Sequence, residues 1–150
     1  MNFMSLKDVL DFAVRREEEA AAAYARMRDM VREASLKELM TDLQNEENKH
    51  KELLLGLAGL KPESLPVKSV VDMKISDYLA AESPRPDMTL QDLFILAAQR
   101  EQKAVDLYTD LRRRVTDAEH LALFDFLIAQ EKSHKLKLES EYEKHVLAED

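Results

Sequence analysis

Apolar residues recur along this chain at alternating steps of four and three, the spacing that keeps one face of an α-helix buried. A first stripe runs Leu6, Leu10, Ala13, Glu17, Ala20, Tyr24, Met27, Val31, and a second Leu36, Met40, Leu43, Glu47, His50, Leu54, Leu57. A third follows as Leu90, Phe94, Ala97, Glu101, Ala104, Tyr108, Leu111, Val115, and a fourth as His120, Phe124, Leu127, Glu131, His134, Leu138. The pattern predicts helices over 5–32, 35–58, 89–115 and 117–146. Ser5 and Thr89 are the expected N-caps, with Asp8 and Asp92 at the third helical position. Ser35 with Glu38, and Thr116 with Glu119, fit the capping-box pattern. The connections near residues 33 and 116 are short, so each helix pair is expected to fold back on itself.

Residues 59–88 break the pattern and hold all four prolines, Pro62, Pro66, Pro84 and Pro86. They read as a linker with a short helix around Ser76–Ala81. A helix of about 25 residues is roughly 38 Å long, and an extended chain covers about 3.3 Å per residue, so the linker can run the length of a bundle. The expected fold is all-α: a four-helix bundle with a long crossover between the second and third helices. Residues 1–150 are expected to form one domain, hairpins 5–58 and 89–146 joined by the linker. Neither hairpin alone can bury both sides of its stripe.

The two halves match at an offset of 84 without insertion. Arg16, Glu17, Ala20 and Tyr24 recur as Arg100, Glu101, Ala104 and Tyr108. Leu39, Leu43, Glu47, His50 and Lys51 recur as Leu123, Leu127, Glu131, His134 and Lys135. Two similar hairpins about a pseudo-twofold axis are therefore expected.

Composition and charge narrow the function. A net charge of −8 argues against nucleic acid and against an anionic membrane surface as partners. No stretch approaches the roughly 20 apolar residues of a membrane span. Asp8 and Asp11 stand where an export signal needs an apolar run, so a cytoplasmic location is the default expectation. The absence of cysteine excludes disulfides, thiolate metal sites and iron–sulfur clusters from this sequence.

Glu17, Glu47, His50, Glu101, Glu131 and His134 interrupt otherwise apolar stripes. Counted from each hairpin turn they fall at one height. A buried ionised carboxylate costs several kcal/mol unless compensated, and four together repel or take up protons. No Lys or Arg lies on the stripes at that level. Two divalent metals would supply the matching +4. Oxygen ligands with imidazole suit iron or manganese, and accept zinc. Two Glu helices plus two Glu-x-x-His helices form the ligand set of di-iron and di-manganese carboxylate bundles. The alternative is a hydrogen-bonded polar cluster in the core.

Around these ligands, Tyr24 and Tyr108 lie two turns beyond Glu17 and Glu101 on the same stripes. Helical side chains lean toward the N-terminus, so the phenols can approach the site, either to donate hydrogen bonds or to relay electrons. An ordinary core tyrosine is an equal reading. Glu46 and Gln130, four residues before each histidine, could orient an imidazole on a facing helix, but read first as solvated or structural positions. His120 and His145 lack a Glu three residues earlier and read as surface or packing residues.

At the motifs Glu17-x-x-Ala20-x-x-x-Tyr24, Glu47-x-x-His50, Glu101-x-x-Ala104-x-x-x-Tyr108 and Glu131-x-x-His134, the sequence resembles the ferritin-like di-iron superfamily, and within it the rubrerythrin-like branch. The resemblance implies a ferritin-like bundle with two iron ions, Glu17 and Glu101 as terminal ligands, Glu47 and Glu131 as bridges, and His50 and His134 capping one metal each. It implies reduction of dioxygen or hydrogen peroxide at an Fe(II)/Fe(III) pair, and a homodimer. Rubrerythrin proper also carries a cysteine-ligated rubredoxin domain, which this cysteine-free sequence lacks, so an external electron-donor protein is implied. Ala104 stands where rubrerythrin has a further glutamate, which brings the ligand set closer to the six-ligand bacterioferritin type. Oxidase, ferroxidase and peroxidase chemistry all remain open readings. Beside them stand a non-catalytic iron-binding or buffering protein, a ferritin-like subunit, and a bundle whose metal serves structure alone.

Overall fold

The computed structural model describes residues 5–58, 72–79 and 83–145. Helix α1 spans Leu6–Met30, and its N-cap Ser5 accepts a hydrogen bond from the Asp8 amide at 3.1 Å. Helix α2 spans Ala34–Ala58, α3 Leu90–Arg112 and α4 Ala118–His145. At the start of α3 the Thr89 hydroxyl accepts from the Asp92 amide while the Asp92 carboxylate accepts from the Thr89 amide, each at 3.1 Å. Two of the helix's four unpaired amides are thereby satisfied.

Two expected caps are corrected. Helix α2 opens one residue earlier than expected, with the Lys37 amide on the Glu33 carbonyl at 3.0 Å, so Ser35 lies inside the first turn. At α4, Asp117 takes the place expected for Thr116. Its carboxylate accepts from the Glu119 and His120 amides at 2.8 and 3.3 Å, reaching two free donors at once. The short helix expected around Ser76–Ala81 is a 3₁₀ turn over Ile75–Asp77, and residues 80–81, like Pro62 and Pro66, lie outside the described residues.

Every stripe position is buried except Ala20, Leu90 and Ala104, which are half-buried. The apolar residues separate into two clusters. One gathers Leu10, Leu54, Leu111 and Phe124 at one end of the bundle. The other gathers Met27, Met40, Phe94 and Leu138 at the opposite end. The starts of α1 and α4 thus share an end with the finishes of α2 and α3. It follows that α2 and α3 run parallel and that the connection between them travels the length of the bundle, the long crossover expected from the sequence.

Part of that crossover is tied down at the first end. Met73 and Tyr78 bury in the cluster there, Tyr78 donates to Asp110 at 2.6 Å, and Arg114 bonds Asp72 at 2.5 Å. Between hairpins the main backbone approach is α1 against α3. Among the described residues no helix is long and apolar enough to cross a membrane.

Candidate metal centre

A layer of ionisable side chains separates the two apolar clusters. Glu17, Glu47, His50, Glu101, Glu131 and His134 are each at most 2% exposed, all brought to one level by the antiparallel hairpins. Each helix contributes at one point of its buried face. α1 supplies Glu17 and α3 supplies Glu101, while the i, i+3 spacing on α2 and α4 aims Glu47 with His50, and Glu131 with His134, into the same space.

The two imidazoles reach across to each other's helix. His50 Nδ1 lies 2.9 Å from Glu131 and 3.8 Å from both Glu17 and Glu47. His134 Nδ1 lies 2.9 Å from Glu47, 3.5 Å from Glu131 and 3.6 Å from Glu101. The rings stack with centroids 5.6 Å apart and planes 8° from parallel. Polar atoms gather into two overlapping groups, Glu17–Glu47–His50–Glu131 and Glu47–Glu101–Glu131–His134, each with one atom per residue and all of these within 4.8 Å of one another. Glu47 and Glu131 belong to both.

Whether a metal pair suits these residues can be tested on the atoms themselves. Within this layer, six buried atoms find no hydrogen-bond partner among the described residues: Glu17 Oε2, Glu47 Oε1, His50 Nδ1, Glu101 Oε2, Glu131 Oε1 and His134 Nδ1. They are one atom from each member of the layer, and all face inward. Orphaned buried acceptors are costly, and their convergence is what a pair of cations would satisfy. Four carboxylates and two neutral imidazoles fit two divalent ions.

The electrostatics agree. Burial, reinforced by Glu47, holds the Glu17 carboxyl well above the usual carboxylate range. Burial and Glu101 do the same for Glu131, and raise Glu47 to about 8. Burial and the neighbouring His134 lower His50 to about 4, leaving it a neutral donor at pH 7. Burial also pulls His134 down, but Glu101 and Glu46 outweigh it and its net shift is upward. Without cations, then, the layer holds protons in their place.

A second ring of contacts holds these groups. Tyr24 donates to Glu101 and Tyr108 donates to Glu17, so each phenol serves the carboxylate of the other hairpin. Both hydroxyls are fully buried, and burial with the adjacent Glu101 or Glu17 raises their pKa well above the usual value.

On the outer side, the Glu46 carboxylate bonds His134 Nε2 across the α2–α4 pair, and Gln130 is in hydrogen-bonding reach of His50. Glu46 is thus not the solvated position it first reads as. A carboxylate on the far nitrogen presents Nδ1 inward and makes it more basic. The helical offset of four before each histidine was the available signal. His120 and His145 lie outside both groups, His145 pairing with Glu33 and Glu141 at 2.9 Å.

The sequence model of the rubrerythrin family matches residues 2–58, a span that includes Glu17, Glu47 and His50. No curated protein matches the sequence. Two solved structures resemble the whole chain. A hypothetical protein from Pyrococcus furiosus is 29% identical with a TM-score of 0.74, over 93% of this chain and 89% of its own. A proposed ferritin-like diiron-carboxylate protein from Thermotoga maritima is 22% identical with a TM-score of 0.73, over 97% and 98%, and shows the shared fold. The first hairpin is thus similar in sequence to the rubrerythrin family, and the whole chain shares its fold with both solved structures.

Proposed function

We propose that the protein holds two iron ions between Glu17, Glu47, His50, Glu101, Glu131 and His134 and uses them to reduce hydrogen peroxide or dioxygen. The observation that carries this reading is the pair of overlapping four-residue groups sharing Glu47 and Glu131. Shared carboxylates suit two ions held side by side, with Glu17 and His50 completing one position and Glu101 and His134 the other. Two ferrous ions there would supply two electrons, one from each, to a bound oxidant.

The chain's own residues set the conditions for that chemistry. The apolar clusters above and below keep bulk water from the layer. Tyr24 and Tyr108 keep their protons on the phenol oxygens, and so fix the rotamers of Glu101 and Glu17. Glu46 and Gln130 hold the imidazole planes. Re-reduction would fall to an external donor protein, and a homodimer is the assembly we propose.

The test begins with metal analysis of protein purified without added metal, followed by anaerobic mixing of the diferrous form with peroxide or dioxygen. Stoichiometric oxidation much faster than that of free Fe(II) is expected. Oxidation no faster than free Fe(II) would leave an iron-binding protein without turnover. A zinc-only preparation whose function survives Glu47→Ala would point to a structural metal.

A further inference from the structure

We infer that the groove between α1 and α3 is an anion-selecting entrance to the centre, formed by Arg16 and Arg100 around a gap left by Ala20 and Ala104. This rests on the metal reading above and names a ligand class for the centre beside its neutral oxidants: small inorganic monoanions of a few atoms.

The gap follows from the stripes. At the height of the carboxylates, the buried faces of α1 and α3 carry Ala20 and Ala104, two of the three stripe positions left half-buried. A methyl group cannot cover the layer beneath it. A cavity of about 20 Å³ opens there, walled by Ala20, Ala104, Arg16 and Arg100, with all four carboxylates of the centre as its floor. That volume is about one water across, so a narrow rod-shaped anion can enter it end-on while bulky organic substrates cannot. Neither histidine lines it. The opening on the other side, over His50, is lined by Glu46, Gln130 and Phe126 and touches none of those four carboxylates. The α1–α3 gap is therefore the path that leads to the carboxylate face.

Selectivity follows from the two arginines. Arg100 is only 8% exposed, and the Arg16 side chain 13%, with Glu19 at 2.9 Å on its outer side. Both guanidinium side chains line the same small cavity, one from each helix. Once two dications balance the four carboxylates of the floor, a guanidinium pair at the rim favours negative over neutral visitors. Guanidinium also offers directed N–H donors that suit small anions. Arg16 and Arg100 are repeat equivalents, as are Ala20 and Ala104. The passage accordingly lies on the pseudo-twofold axis and serves both metal positions alike.

Azide, a linear monoanion of three atoms, is the probe. The full chain is loaded with iron, oxidised, and titrated with azide by calorimetry and by absorption, with iron content and circular dichroism recorded for every variant. Saturable binding is expected, weakened tenfold or more in Arg100→Gln and Arg16→Gln and largely restored in Arg100→Lys. Ala104→Leu should abolish it with iron content unchanged, and Ala20→Val is the smaller plug should Ala104→Leu fail to fold. Azide affinity within twofold of the parent in both Arg100→Gln and the folded plug variant overturns the entrance. A protein that holds two irons yet binds no azide overturns it too and leaves the metal reading standing. No iron uptake overturns both.

Discussion

Tyr108 donates its hydroxyl proton to Glu17, a carboxylate 91 residues away on the other hairpin. Tyr24 does the same for Glu101, 77 residues away, so the pseudo-twofold axis exchanges one bond for the other. Each phenol ties the two halves together at the level of the centre. Tyr108→Phe and Tyr24→Phe should each lower the stability of the metal-free protein by about 1–3 kcal/mol, the usual cost of removing a partner from a buried polar group. Urea unfolding measures this. The double variant should depart from additivity, because both bonds belong to one cluster. Losses under about 0.5 kcal/mol would show that the bonds contribute little.

Glu47 and Glu131 appear in both four-residue groups, whereas Glu17 and Glu101 appear in one each. Glu47→Ala or Glu131→Ala should therefore weaken both metal positions, and bound iron should drop below one per chain. Glu17→Ala or Glu101→Ala should leave about one. Iron analysis after gel filtration distinguishes the two patterns, and equal losses in all four variants would contradict the shared-ligand geometry.

Glu46 and Gln130 are equivalent in the repeat but differ in charge, which would make the two proposed metal positions unequal. A carboxylate on the outer nitrogen strengthens His134 as a donor more than an amide strengthens His50. Glu46→Ala should cost about 10–100-fold in affinity at one position, and Gln130→Ala less at the other. Titration against a competing chelator resolves the two steps. Identical shifts would argue against the asymmetry.

The metal-free protein should become less stable as pH rises from about 5 to 8. Glu17 and Glu131 have raised folded pKa values and Glu47 is raised to about 8, so across this window the folded state binds more protons than the unfolded chain. Stability then falls with rising pH. His134, also raised, adds to the trend, and its share is lost as pH climbs through its folded value. His50, lowered to about 4, opposes it between that value and the ordinary histidine range, one group against several. Loaded protein should show the reverse over the same window, since metal ions displace those protons and bind more tightly as pH rises. Thermal melts with and without metal measure both slopes, and parallel slopes would contradict the exchange of protons for cations.

Capping offers a control far from the centre. Thr89→Ala removes half of a complete capping box and should cost about 1 kcal/mol, while Ser35→Ala, at an exposed position inside α2, should stay within about 0.5 kcal/mol. Urea midpoints decide between them.

Much of this architecture was legible along the chain. The alternation of four and three identified the buried face of each helix, and the 84-residue repeat showed which polar interruptions were systematic. Glu17 was distinguished from its neighbours Glu18 and Glu19 by register alone, and it is buried while they are exposed. Cap positions were less legible. Ser35 and Thr116 have the right chemistry, but the chain enters α2 at Glu33 and α4 at Asp117, and the entry angle of a turn is a property of the packed hairpin.

By itself, then, the sequence determined that four acidic groups and two imidazoles would meet in an apolar interior, because periodicity dictates which face of a helix is hidden. Partners across helices are another matter. That Tyr24 serves Glu101, that Nδ1 of each histidine turns inward, that Glu46 reaches His134, and that Arg16 and Arg100 share one opening were decided only in the folded bundle. Helical spacing specifies an azimuth on one rod, whereas which side chain lies opposite depends on the distance and crossing of two rods. Those are set by the packing of the whole core.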